Sequence, residues 1–221
     1  MSVSFWERCA ELCAHMIWPV SCPVCGTVGS VLCSSCLKSL LKRPQLPRCL
    51  RCGKTIPCGV HGSGSLIRAG AVYERDMREV VLMLKYGRYR ALGFRLGRGL
   101  AEVFPRPDAD VLVPVPLHRS SPRRYNQAEA VALGLGEAWN IDVWNAARWR
   151  RDAGTQVSMN AAGRISMPHD AFEVDDGIAG LRAGLVDDVC TTGSTLARLD
   201  EACRKKGATV IGAFVSAHTL H

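Results

Sequence analysis

Gly184-Leu185-Val186-Asp187-Asp188-Val189-Cys190-Thr191-Thr192-Gly193-Ser194-Thr195-Leu196 is the stretch that decides how this chain folds. Leu181–Asp187 has the apolar character of a buried strand, and Asp187 and Asp188 stand at its end. Thr191, Thr192, Gly193, Ser194 and Thr195 follow, and a helix is expected from Ser194 to Lys206, stopped by Gly207. Small residues with one glycine let a backbone close round an anion, at a helix start whose free N–H groups favour negative charge. Two carboxylates beside such a cradle suit a ligand whose next part is a sugar with hydroxyls to donate, or a site with a divalent metal between. A glycine turn between a strand and a helix is common by itself. The informative feature is the order: strand, double acid, hydroxyl-rich loop, helix.

Outward from this unit the pattern repeats. Strands are expected at 66–73, Asp110–Val115, Ile141–Trp144 and Thr209–Val215, and helices at Asp76–Tyr86, Ala91–Val103 and Asn126–Trp139. Asp76 is read as the cap of its helix with Glu79 closing a capping box, and Asn126 as the cap of another. Strands alternating with helices imply an α/β fold with a mostly parallel sheet and helices on both faces. Ligands then bind beyond the carboxyl ends of the strands, where Asp187 and Asp188 lie. Residues 148–170 form a polar, basic stretch with few apolar positions.

Nine of the eleven cysteines fall within the first 58 residues. The N-terminus lacks the basic lead of an export signal and carries early acids, so a secreted disulfide scaffold is not the expectation. No apolar run approaches a membrane span, and a cytoplasmic location is expected. Cys22, Cys25, Cys33 and Cys36 pair as two Cys-x2-Cys units; Cys49, Cys52, Cys58 and His61 form a second set. Four sulfur or nitrogen ligands make a closed zinc site, so two structural zinc ions are expected, with the ligand pairing between sets left open. Residues 1–20 carry apolar groups at helical spacing, giving three regions: an amphipathic helix over 1–20, a zinc-ribbon module over 21–64 and the α/β domain over 65–221. The net charge of +8 favours anionic partners without choosing among polyphosphate, nucleic acid and a lipid surface.

The 184–196 motif resembles the signature of the type I phosphoribosyltransferases, over roughly residues 70–217. More narrowly, the chain resembles the competence protein ComF family, which joins such a domain to an N-terminal zinc module. The shared motifs are Leu84-Lys85-Tyr86, Val113-Pro114-Val115-Pro116-Leu117-His118-Arg119, Tyr125-Asn126-Gln127-Ala128-Glu129, and Gln156 followed by Arg164. The resemblance implies phosphoribosyl pyrophosphate with magnesium as ligand. Asp187 and Asp188 would take the ribose hydroxyls and Thr191–Thr195 the 5-phosphate. Pro116, Arg119, Arg123, Arg124 and Lys85 would lie on the pyrophosphate side, and 151–167 would be a catalytic lid with Gln156 and Arg164 in it. Three departures stand out: Arg124-Tyr125 replaces the family's Gly-Phe, His61 replaces a cysteine, and Met167 stands where a polar residue is expected.

Three functions follow as expectations: phosphoribosyl transfer to an unnamed acceptor, single-stranded DNA handling with the uptake machinery of natural transformation, and sensing of phosphoribosyl pyrophosphate. Trp149, set among Arg148, Arg150 and Arg151, is the candidate base-stacking platform for the second, against the plainer reading of a half-buried residue bordering the lid.

Overall fold

A computed structural model of the chain describes residues 20–42, 44–61, 65–87, 89–150, 158–159, 165–166, 168 and 170–219, the two short pairs by backbone alone. The expected helix in 1–20, together with Gln156, Arg164 and Met167, lies outside the described residues.

The central sheet has six strands: β1 (Arg48–Cys49), β2 (Leu66–Val72), β3 (Val111–Pro114), β4 (Asp142–Val143), β9 (Arg182–Cys190) and β10 (Thr209–His218). Their order is β1-β2-β10-β9-β3-β4, and every pairing except β1 with β2 is parallel. A parallel sheet is covered on both faces, so its strands read as continuous apolar runs. Ala183, Gly184, Leu185 and Val186 of β9 are accordingly all buried. The mostly parallel sheet with helices on both faces is therefore the fold this chain adopts.

One face carries α2 (Arg75–Tyr86), α3 (Arg90–Val103) and α4 (Gln127–Trp139), packed with Leu112, Val186 and Phe214 of the sheet. The other carries α5 (Ser194–Lys205), whose Leu196, Leu199 and Cys203 pack with Leu185, Ala213 and Val215. The α3–α4 crossing is close enough that a Cβ on Gly134 would lie 2.0 Å from the Phe94 carbonyl oxygen, and one on Gly97 2.1 Å from that of Val131.

Two cysteine-bearing loops attach to different parts of this frame. The first leads into α1 (Ser34–Leu41), which packs on the α3 face through Leu37 and Leu41. The second holds β1 and adds it antiparallel to the sheet edge, with Leu50 buried in the cluster of Ile67, Cys190 and Leu196.

The helix expected to start at a capping Asp76 begins instead at Arg75, with Glu74 as cap and no capping side-chain bond. Chain entry decides this: Tyr73 N–H donates to the His218 carbonyl and Glu74 N–H to that of Val72, fixing the turn before Asp76 can cap it. The polar segment 148–170 is bracketed by one ribbon and holds another, neither of which the sequence announced. β5 (Ala147–Trp149) pairs with β8 (Phe172–Val174), and β6 (Ser158–Met159) with β7 (Ile165–Ser166), both antiparallel.

Candidate functional site

β9 delivers Asp187 and Asp188 to the carboxyl end of the sheet, still within the strand, which continues to Cys190. Asp187 is half-buried and its Oδ1 accepts from the Asp188 N–H at 2.8 Å; Asp188 is buried and its Oδ1 accepts from the Val189 N–H at 2.8 Å. Burial, then the neighbouring Asp188 charge, pushes the Asp187 carboxyl well above the usual carboxylate range. The Asp188 Oδ2 is buried without a hydrogen-bond partner. The Lys85 ammonium lies 3.3 Å from it, an ion pair whose alignment falls short of a hydrogen bond. An acceptor that is ion-paired but not hydrogen-bonded still has lone-pair capacity for a ligand hydroxyl.

The loop closes with Gly193 at φ +81, a left-handed conformation that glycine adopts without strain, and α5 starts at Ser194 as expected. Thr191, Thr192 and Ser194 are exposed, with Thr192 Oγ1 and Ser194 Oγ 2.9 Å apart. The first N–H groups of a helix have no intrahelical partners, so donors and hydroxyls converge at this exposed turn. Cys190 beneath it is not a reactive thiol: burial, with the Asp187 charge behind it, pushes it up to about 12.

A cavity of about 430 Å³ opens beside the acids, lined by Pro116, His118, Arg123, Gln127, Trp149, Asp187 and Asp188 among others. Of the residues expected on the pyrophosphate side, Pro116 and Arg123 line it. Arg119 and Arg124 are exposed and do not. Lys85 sits at the end of α2 against Asp188 rather than on the Pro116 turn. No cis peptide falls in 113–119; the one among the described residues is Ile56–Pro57.

The Tyr125-Asn126-Gln127 motif braces this site, a role its residue types did not announce. The Tyr125 hydroxyl donates to the Leu84 carbonyl, tying α4 to the helix end that carries Lys85. Asn126 accepts from the Ala128 N–H as the expected cap, and its Nδ2 donates to the Val115 carbonyl at 2.9 Å. Gln127 accepts from the Arg123 guanidinium at 3.2 Å. Trp149 donates from Nε1 to the Pro116 carbonyl at 2.8 Å, with its ring centroid 4.4 Å from Phe172 and 5.0 Å from His118. These three contacts tie the indole down, so it is a brace for the Pro116–His118 turn rather than a free stacking platform.

The cysteine sets are uncrossed. Cys22, Cys25, Cys33 and Cys36 bring their sulfurs together, as do Cys49, Cys52, Cys58 and His61 their ligand atoms, all within 4.8 Å in each set. Both groups could hold zinc, and His61 reaches its sulfurs through Nδ1, 3.6 Å from Cys49 and from Cys58. Gly53-Lys54-Thr55 in the second loop ends like a nucleotide P-loop, but no helix follows it, so the phosphate cradle of that motif is not formed.

Fold and site together define an α/β protein with an acidic pair and a hydroxyl-rich helix start at its strand ends, flanked by two metal-competent loops. The chain is similar to proteins named DNA utilization protein YhgH. It is 29% identical to that of Salmonella typhimurium strain LT2 over 230 aligned positions covering 100% of this chain and 94% of the relative. The Salmonella typhi protein is 29% identical over 211 residues, and that of Escherichia coli K12 26% over 209, each with 86% of this chain and 91% of the relative covered. No family model matches the chain. Among solved structures, it is similar to the allosteric regulatory enzyme of purine biosynthesis, at 23% identity and a TM-score of 0.45 over 62% of this chain. It spans only 30% of that chain. The orotate phosphoribosyltransferase of Mycobacterium tuberculosis H37Rv is similar at 21% identity and a TM-score of 0.34, over 65% of this chain and 78% of the other. Among the described residues no helix is long and apolar enough to cross a membrane.

Proposed function

We propose that this chain is a ComF-type protein of the cytoplasm whose α/β domain binds phosphoribosyl pyrophosphate with magnesium and transfers the phosphoribosyl group to an acceptor. One observation carries the reading. The acidic pair of β9 and the hydroxyl-rich start of α5 meet at the carboxyl edge of a parallel sheet, with the cavity of Pro116 and Arg123 on the adjoining side. In this reading Asp187 and Asp188 accept from the ribose hydroxyls, and the amides and hydroxyls of Thr191–Thr195 donate to the 5-phosphate. The Pro116–His118 turn and Arg123 face the pyrophosphate, held by Trp149 and Gln127. The protein's task is orientation and stabilisation of developing charge. Magnesium bound with the ligand would spread the charge of the leaving pyrophosphate.

Calorimetric titration of phosphoribosyl pyrophosphate with magnesium is expected to show binding that Asp187→Ala or Asp188→Ala weakens at least about tenfold, a loss of about 1.4 kcal/mol. Equal affinity in the wild type and the double alanine variant would sink the assignment.

The name DNA utilization protein of the relatives favours a second reading, in which the ligand site serves DNA handling without turnover. Pyrophosphate release with candidate acceptors separates the two, because only a transferase releases it. A charge of +8 gives some DNA binding at low salt in either case, so only single-strand preference that survives physiological salt supports the second.

A further inference from the structure

The second cysteine loop touches the phosphate loop. Gly53 directly follows Cys52, ahead of Cys58, at φ +68, and a Cβ on it would stand 3.0 Å from the Thr192 carbonyl oxygen. A side chain there would be strained and would press on the backbone of Thr192. On the other flank, a Cβ on Gly193 would stand 3.3 Å from Ile67 Cδ1 of β2. The turn at 192–193 is therefore held between the Gly53 backbone and the sheet.

The Gly53 side of this clamp is fixed by the cysteine loop itself. Gly53 N–H donates to the Cys49 carbonyl at 2.8 Å, Cys49 N–H to that of Lys54 at 2.8 Å, and Arg48 Nη1 to that of Gly53 at 3.3 Å. β1 anchors one end on β2 through the Arg48–Ile67 and Cys49–Leu66 pairs, and the Leu50 N–H donates to Ser65. The other end approaches through an Arg48–Thr55 bridge and then, through Cys58 and His61, meets Cys49 and Cys52 at the ligand atoms, with Cys52 and Cys58 sulfurs 3.5 Å apart. The first set has no such contact: Cys22, Cys33 and Cys36 pack with α1 and α3 in the other core cluster.

We infer that the Cys49–Cys52–Cys58–His61 set is a positioning element for anion binding: ligated together, these residues hold Gly53 against Thr192 and set the shape of the 191–195 loop. The inference rests on the phosphate-binding reading of that loop. It assigns different work to two sets of the same composition class, the second serving the ligand site and the first the fold alone.

The test uses the full chain with zinc counted by elemental analysis, and phosphoribosyl pyrophosphate with magnesium as the probe. Cys58→Ser and Cys25→Ser should each lose one zinc equivalent. Cys58→Ser should bind the probe at least about tenfold more weakly, while Cys25→Ser stays within about twofold of wild type. Gly53→Ala should keep both zinc ions and still lose about tenfold in affinity. It also decides the matter if Cys58→Ser fails to fold. Gly53→Ala binding like wild type, or the two cysteine variants weakening binding alike, would overturn the inference. If the wild type does not bind the probe, the ligand reading fails, and amide hydrogen exchange at 192–195 still tests the clamp. Exchange that rises in Gly53→Ala supports it, and unchanged exchange overturns it.

Discussion

The Asp187 carboxyl is pushed above the usual carboxylate range by burial, with the Asp188 charge adding to it. The folded chain thus holds a proton there that the unfolded chain has released. Stability from this group is greatest below the ordinary carboxylate pKa of about 4 and falls as pH rises through the raised folded value. Asp187→Asn removes that penalty. The ligand-free variant should melt together with wild type near pH 4 and above it at neutral pH, by about 2–4 °C for each kcal/mol recovered. Thermal melts across pH 4–8 check this, and a difference constant across the range would refute it. The same variant should bind ligand worse, so the acid is kept at a cost to stability.

Among elements, the α3–α4 crossing depends on two missing side chains. Gly134→Ala places a methyl 2.0 Å from the Phe94 carbonyl oxygen, backbone that cannot swing aside. Separating the helices should cost about 1–3 kcal/mol, read as a lower urea midpoint with an unchanged slope. An unshifted midpoint would mean that the helices move apart freely. These helices and the long strands were legible in the sequence because apolar periodicity is local and persists over many residues. β9, its acids and α5 were legible together because they are contiguous. β1, β5 and β8 were not, since two or three residues carry no period and their pairing partners lie elsewhere in the chain. Distance in sequence hid the site's supports as well. Lys85 reaches Asp188 across about a hundred residues, and Tyr125 reaches Leu84 across 41. Such pairings depend on topology that residue type alone does not encode.

At the scale of the whole molecule, two uncrossed ligand sets of three or four sulfurs each predict about two zinc equivalents per chain. His61→Ala should lower the count to about one, because three sulfurs no longer close the second tetrahedron. A count unmoved by that change would show that His61 is not a ligand. The two loops also sit differently in the architecture: one under helices, the other along the strand Leu66–Val72.

That second placement has a consequence for how the chain is made. Leu66–Val72 is an apolar strand whose outer border is covered by β1 and by the Gln45 N–H, which donates to the Ala69 carbonyl. An uncovered apolar border is a template for intermolecular strand pairing and aggregation. The covering segment precedes the strand in the chain and leaves the ribosome first, so the guard is already outside when the edge it covers emerges.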